Sequence, residues 1–249
     1  MAFDTASGGQ RWAVPLVPSS GAAAATWPAQ TEVIPRAGGA TWTSYALDTL
    51  TGDVVLGTGN AAPDFLVAAR PGENEHTTSV VVLSSRDGTL RWARQLVPGD
   101  FHDWDLSAAP SLVTTRAGHH LVVAAGKDGH LVALDRASGA VRYRAEVATQ
   151  INTETAFGPK PTRFCPGVNG GVEWNGPAYA ATADLLVVGS IDWCTTVTIA
   201  PVAELKGKRG LPWTGSAELR HPFGVPDTTR SGWLTAVDAE SGEILWRYH

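Results

Sequence analysis

The segment VPGDFHDWDLSAAP, Val97 to Pro110, places three carboxylates, Asp100, Asp103 and Asp105, within six residues beside His102 and Trp104. Like charges this close repel, and each is costly to bury without a partner. The segment therefore demands a compensating cation. Two other residue types carry potential chemistry. Cys165 and Cys194 are too few to complete a four-ligand zinc site, and no CxxC or CxxCH motif occurs. They read either as two free, buried thiols or, in an oxidising compartment, as a bridge contributing roughly 3–4 kcal/mol by loop closure. The adjacent pair His119 and His120 lacks ligand spacing, because neighbouring strand residues face opposite ways.

The elements that must position these groups are written as a repeat. Four segments, AFDTASGGQRW (Ala2–Trp12), VLSSRDGTLRW (Val82–Trp92), ALDRASGAVRY (Ala133–Tyr143) and AVDAESGEILW (Ala236–Trp246), share one pattern. Each joins a short apolar strand, a polar turn with Gly at a fixed place, and a second strand ending in an aromatic. Asp or Ser with Gly between strands is hairpin chemistry, since Gly supplies the positive φ of a tight turn. The β-branched runs DVVLGTG, HLVVAAG and DLLVVGS, each stopped by a small residue, add further strands. Helical periodicity is weak, and Pro and Gly are spread throughout rather than gathered in a linker. The pattern predicts an all-β chain: a β-propeller with one core per blade and a single domain over residues 1–249. The rival arrangement is a sandwich of unrelated hairpins. Aromatic ends spaced 80, 51 and 103 residues apart allow three blades and part of a fourth. A closed propeller needs at least about four, so an open, incomplete ring truncated at both ends is expected. The closing aromatics should pack between neighbouring blades.

Composition narrows the function. The chain has 249 residues, 43% of them apolar, enough for a sizeable core. A net charge of −5 argues against a nucleic-acid surface. No run approaches the ~18 consecutive apolar residues of a membrane helix. The opening MAFDTASGGQRW lacks the basic and apolar regions of a signal peptide, which implies either a cytoplasmic protein or an N-terminus that lies further upstream.

Four stretches together resemble the quinoprotein alcohol dehydrogenases, eight-bladed propellers that use pyrroloquinoline quinone (PQQ) and a metal ion. In GGATWTSYALDTLTGDVVLGTGNAAPDF, Trp42 and Asn60 stand 18 residues apart, like the family's quinone-floor Trp and metal-ligating Asn. An indole face suits a flat quinone, and an amide oxygen is a hard neutral ligand for Ca²⁺. Taken singly, Trp42 reads as a core side chain and Asn60 as a turn residue. HDWD matches the family's base in Asp105, which would also contact the metal; Asp100 and Asp103 are expected only to shape the loop. A metal ion there would supply the missing compensation for the crowded carboxylates. Lanthanide-using relatives carry a second acid two residues beyond the base. Ser107 stands at that place, which favours Ca²⁺. In AAGKDGHLVALDRASG, Lys127 matches the cation that reaches the quinone's carbonyl oxygens, although a KDG tripeptide alone reads as an exposed turn. The fourth stretch, FCPGVNGGVEWNGPAY with GSIDWCTT, resembles the family's disulfide-linked segments and implies a Cys165–Cys194 bridge and a quinone-adjacent Trp174. Here the chain departs from relatives, placing Glu173 where Asn is frequent. A carboxylate there is costly unless it points away or meets a cation.

The resemblance implies a periplasmic PQQ- and Ca²⁺-dependent dehydrogenase oxidising small alcohols or sugars by hydride transfer to the quinone, with electrons leaving to a separate acceptor such as a cytochrome c or a membrane quinone. It covers about half of the family's catalytic domain. The family's Glu metal ligand and adjacent-cysteine ring belong to earlier blades than those present, so the metal half-site should be weak. The alternative is a non-enzymatic propeller of the same repeat, serving as a protein-binding platform. If the enzyme reading is right, Asn60, Asp105 and Lys127 should converge at one mouth of the propeller, above Trp42.

Overall fold

The computed structural model describes residues 1–29, 36–199, 201, 211, 213–216 and 231–249. An isolated hairpin, β1 (Ala2–Phe3) and β2 (Gln10–Trp12), leads through a short helix α1 (Gly21–Ala25) and the two-residue strand β3 (Ala37–Gly38) to the first four-stranded sheet. That sheet comprises β4 (Ala46–Asp48), β5 (Asp53–Gly57) and, after β6 (Ala61–Ala62) has paired with β3, β7 (Ser79–Ser84) and β8 (Leu90–Gln95). The second sheet is an uninterrupted meander of β9 (Ser111–Thr114), β10 (His120–Ala125), β11 (His130–Asp135) and β12 (Val141–Glu146). After β13 (Thr162–Phe164) come β14 (Ala178–Ala180) and β15 (Leu185–Asp192). Then β16 (Thr195–Val197) pairs back to β13, and β17 (Ser231–Asp238) and β18 (Ile244–Tyr248) complete the third sheet. Among the described residues, all pairs of these strands are antiparallel.

The three sheets pack in series because their central strands are apolar on both sides. Side chains alternate along a strand. Val122 and Ala124 of β10 therefore pack with Val55, Val80 and Val82 of the first sheet, whereas Leu121, Val123 and Ala125 pack with Leu186, Val188 and Val237 of the third. Likewise β7 turns Val81 and Leu83 to the other side, against Leu56 and Leu16. Each full burial of such a side chain is worth about 1.5–3 kcal/mol. A two-sheet sandwich would leave one face of every sheet open, so the blade arrangement is the one that these residues support. The result is an incomplete β-propeller: among the described residues, three blades and the outer hairpin of another.

The repeated aromatics are the joints between blades. Trp12 Nε1 donates to Ser85 O at 3.1 Å, Trp92 Nε1 to Arg136 O at 3.0 Å, and the Tyr143 hydroxyl to Ala239 O at 2.9 Å. Each ring thus covers the hairpin turn of the next blade. At Gly139 the fit excludes a side chain: a Cβ there would lie 2.6 Å from Trp92 Cε3, and its φ of +68° favours glycine as well. Trp246, at the equivalent place in the third sheet, is 44% exposed.

An Asp–Ser pair closes each turn. Asp135 Oδ1 accepts from the Ser138 amide at 2.9 Å and hydroxyl at 2.7 Å, and Asp4–Ser7 and Asp238–Ser241 repeat the arrangement. In the first blade the pair is swapped: Ser84 takes the Asp place and Asp87 the Ser place. The hydrogen bond from Arg11, with others from Ser7, holds the Asp4 carboxyl down at about 2. The Thr89 amide, followed by the Ser84 hydroxyl, does the same for Asp87, also to about 2. Among the described residues, no helix is long and apolar enough to cross a membrane.

Two outcomes follow for the 249-residue chain. In urea unfolding, Trp92→Ala should cost about 3 kcal/mol, because it empties a joint and strands a backbone carbonyl. Trp246→Ala should change stability by no more than about 0.5 kcal/mol. Equal losses would show that the aromatics act only within their own blades. Depressed carboxyl values contribute stability above the ordinary Asp range that is lost as pH falls through the depressed value. Asp87→Asn should therefore flatten the drop in melting temperature between about pH 4 and 2, leaving its pH slope above pH 5 unchanged.

Candidate functional site

In an antiparallel sheet, the start of the first strand and the end of the second lie at the same edge. That edge collects the chemistry. Trp42 precedes β4 and Asn60 follows β5; Asp105 precedes β9 and Lys127 follows β10; Trp174 precedes β14. Series packing of the sheets brings these edges together.

Lys127 is the hub. Its Nζ lies 2.7 Å from Asp105 Oδ2, 3.3 Å from Asp103 Oδ2 and 3.9 Å from Glu173 Oε1. It also stands 5.7 Å from the ring centroid of Trp42, within cation–π range. The other Asp105 oxygen, Oδ1, accepts the backbone N–H of Asn60 at 3.0 Å. Gly59 makes that approach feasible, since a Cβ there would lie 2.5 Å from Asp105 Oδ1. The Asn60 side-chain amide donates to Asp64 Oδ1 at 3.0 Å and Ala61 O at 3.2 Å, which leaves its carbonyl oxygen for a ligand. Above this floor Trp42 and Trp174 are 41% and 62% exposed, with ring centroids 6.1 Å apart and planes at 73°. Two solvent-facing indoles beside a buried ion cluster form an open, flat-walled site.

The sequence HDWD folds so that alternate side chains part company. Asp103 and Asp105 face Lys127. Trp104 stacks on His102 at 3.9 Å and 11°, and donates from Nε1 to Pro166 O at 3.0 Å. Its neighbours are the buried Phe65, Phe164 and Val168. Asp103 and Trp174 both adopt positive φ, +66° and +53°, a conformation costing of order 1 kcal/mol for non-glycine residues. The Trp174 amide is pinned to Ser107 O at 3.2 Å.

Electrostatics answer the question raised by the crowded carboxylates. Two cations of the chain itself, Lys127 and Arg70, lie beside these carboxylates and supply part of the compensation. Asp100 is buried and accepts the amides of His102 and Trp104, both at 3.1 Å. Arg70, 1% exposed, donates to Pro63 O, Asn74 Oδ1 and the backbone carbonyls of Asp64 and Asp100. Burial by itself would lower the Lys127 pKa, but Asp103 and Asp105 outweigh it and hold the ammonium well above its ordinary value. Burial raises Asp103, which Lys127 opposes and Asp105 reinforces. Burial also raises Asp64 to about 7 against the Asn60 hydrogen bond, with the nearby Asp105 and Asp100 charges adding to the rise. Glu173 is raised chiefly by burial, against the pull of Lys127.

All five residues singled out for catalysis or binding, Trp42, Asn60, Asp105, Lys127 and Trp174, meet here. Three participants were missed or set aside. Asp103 contacts Lys127 rather than merely shaping its loop. Glu173, the departure from relatives, faces the same cation. Asp64 holds the Asn60 amide, and its only signal was a carboxylate four residues beyond Asn60. Ser107 is fully buried and donates to Val172 O at 2.9 Å. Cys165 and Cys194 are bonded, with Cα atoms 4.5 Å apart, so the free-thiol reading is excluded. The bridge ties β13 to the β15–β16 link beside Pro166, the acceptor for Trp104.

The PQQ family, described as glucose/ethanol/alcohol dehydrogenase, β-propeller domain, matches residues 1–146. A quinoprotein alcohol dehydrogenase of Pseudomonas putida is 26% identical over 92% of this chain and 41% of its own length. A lanthanide-dependent methanol dehydrogenase of Methylacidiphilum fumariolicum is 22% identical over 90% of this chain and 39% of its own. The crystal structure of the quinohemoprotein alcohol dehydrogenase from Comamonas testosteroni superposes with a TM-score of 0.78 at 20% identity, covering 98% of this chain and 42% of that one. At that identity the likeness concerns the fold. The chain spans about two fifths of the length of these relatives.

Because the bridge closes a 29-residue separation, replacing both Cys165 and Cys194 by Ser should lower stability by about 3–4 kcal/mol in denaturant. The unfolded parent should show no free thiol until a reductant is added. A reactive thiol before reduction would contradict the pairing.

Proposed function

This chain belongs to the PQQ family of glucose/ethanol/alcohol dehydrogenase β-propeller domains, and on that premise we propose that it carries the base, quinone floor and part of the metal site of a PQQ- and Ca²⁺-dependent dehydrogenase acting on small alcohols or sugars. The observation that carries this reading is one convergence: Lys127 Nζ lies 2.7 Å from Asp105 and 5.7 Å from the Trp42 ring, with Asn60 N–H 3.0 Å from the same carboxylate. A protein-binding platform gives no account of a buried ammonium among three carboxylates beneath two exposed indoles.

The residues suit both groups. When bound, PQQ supplies the two-electron acceptor for the substrate's hydride, and Ca²⁺ supplies a Lewis acid. Asn60 Oδ1 and the Asp105 carboxylate are hard oxygens of the kind that Ca²⁺ prefers. Ser107, spent on Val172 O, offers no second acid beyond the base. Trp42 presents an indole face to a planar ligand, and Trp174 walls its edge. Lys127 is a fixed cation beside that face, placed to stabilise negative charge on an oxygen there. Asp105 takes the substrate hydroxyl proton as general base. The disulfide supports an oxidising, periplasmic setting, and electrons pass on to a separate acceptor, a cytochrome c or a membrane quinone.

The test is PQQ titration of the chain with Ca²⁺, read by quenching of tryptophan fluorescence, then reduction of the bound quinone by ethanol followed by absorbance. Asp105→Asn should leave quenching within about twofold of the parent and slow reduction by at least about 100-fold. Reduction at the parental rate would remove Asp105 as base. An absence of quenching in the parent would remove the cofactor reading for this chain.

A further inference from the structure

The loop that aims Asp103 and Asp105 at Lys127 turns other side chains into a separate cleft. His102 and Trp104 help to line this space of about 410 Å³, together with Asp128, His130, Arg144 and Gln150. Val97, Pro98 and Phe101 add apolar surface. The volume falls in the ~300–1,000 Å³ range of small-molecule sites. One polar side chain of the wall has no partner in the chain. His102 is 2% exposed, and neither ring nitrogen is hydrogen-bonded. Asp100 Oδ1 stands 3.6 Å from its Nδ1, beyond hydrogen-bonding distance. A buried polar group left in this way is costly and calls for a partner.

The remaining hydrogen-bonding capacity of the wall defines that partner. Arg144 spends Nη1 on Asp128 Oδ2 at 3.4 Å and Nη2 on Leu96 O at 2.9 Å. Gln150 spends its amide nitrogen on Asp128 O at 2.9 Å and Ala148 O at 3.3 Å, which leaves Oε1 to accept. His130 Nδ1 pairs with Asp128 Oδ2 at 2.9 Å, so Nε2 is the acceptor of the neutral ring. A neutral His102 offers one acceptor and one donor. The wall therefore has acceptors to spare, and a ligand has to donate. Asp128 already faces Arg144 and His130, so no uncompensated buried charge asks for an ion. An anion would meet Asp128, and a cation would meet Arg144. We propose that the cleft binds a neutral polyhydroxylated molecule of monosaccharide size, with hydroxyls on His102, His130 and Gln150 and its carbon-bound face on the apolar flank. The cleft is separate from the Trp42 face, and its binding is independent of any quinone.

The test titrates glucose, xylitol and tetramethylammonium into the 249-residue chain, with the imidazole proton signals followed by NMR. His102→Phe and His130→Gln assign the two signals, and circular dichroism establishes that each variant is folded. His102→Phe keeps an aromatic stack on Trp104 and removes two unpaired buried nitrogens, so it should melt no lower than the parent. Glucose should shift both signals saturably, with a Kd of about 1–10 mM. His102→Phe should weaken glucose binding at least about tenfold, read on His130. Gln150→Leu, on a different segment, should weaken it at least about threefold and keeps the test independent of the aromatic stack. Glu154→Gln, at an exposed lining position, should stay within about twofold of the parent. Tetramethylammonium should move neither signal. No saturable shift with glucose or xylitol up to about 100 mM, or parental affinity in both His102→Phe and Gln150→Leu, overturns the site. Saturable tetramethylammonium binding, or a loss of more than about tenfold in Glu154→Gln, overturns the neutral ligand class.

Discussion

A strand whose side chains are apolar on both faces has to be covered on both. This holds for β7 and β10, and the fold follows from it. One sheet must lie on each side, and the twist of each sheet turns a stack of sheets into blades around an axis. Aromatics at the end of each outer hairpin then lock neighbours in register, with an indole or phenol bonded to the next turn's carbonyl. Glycine at that turn is the steric condition for the lock.

This series packing also creates the site. Strand ends from separate blades carry loops toward a common edge, so residues far apart in the chain become neighbours without any local motif linking them. The apolar packing beneath the loops gives their charges little solvent. Lys127 and Arg70 are therefore obligatory partners for the acidic loop, and the amides of His102 and Trp104 do for Asp100 what water would do at a surface. The loop is also held by its own aromatic side chain. Trp104 is anchored to Pro166 next to the disulfide, so the bridge bears indirectly on where Asp103 and Asp105 point.

The candidate site gathers three carboxylates around one ammonium. Trp42, Asn60 and Asp105, to which we assign the quinone floor, a metal ligand and the base, meet at one edge of the blades. The carboxylates at Asp103 and Glu173 add negative charge around the single lysine. The same lysine that meets these carboxylates also stands 5.7 Å from the Trp42 ring.

The all-β character, the blade repeat and its polar, glycine-containing turns were legible in the sequence because they depend on residues within about ten positions of one another. The four stretches that resemble the family located Trp42, Asn60, Asp105, Lys127 and Trp174 as well. The partners were not legible. Whether Cys165 and Cys194 are free or bonded, which cation answers Asp103, and whether Glu173 points away or inward depend on contacts across 24 to 46 residues. Local preference carries no information about such distances. Asp103 is the clearest instance: its neighbours suggest a loop carboxylate, and only a backbone turned to positive φ by the packing of Trp104 aims it at Lys127. Side-chain type is a property of the chain, whereas the charge environment of a buried group is set by whatever the fold packs against it.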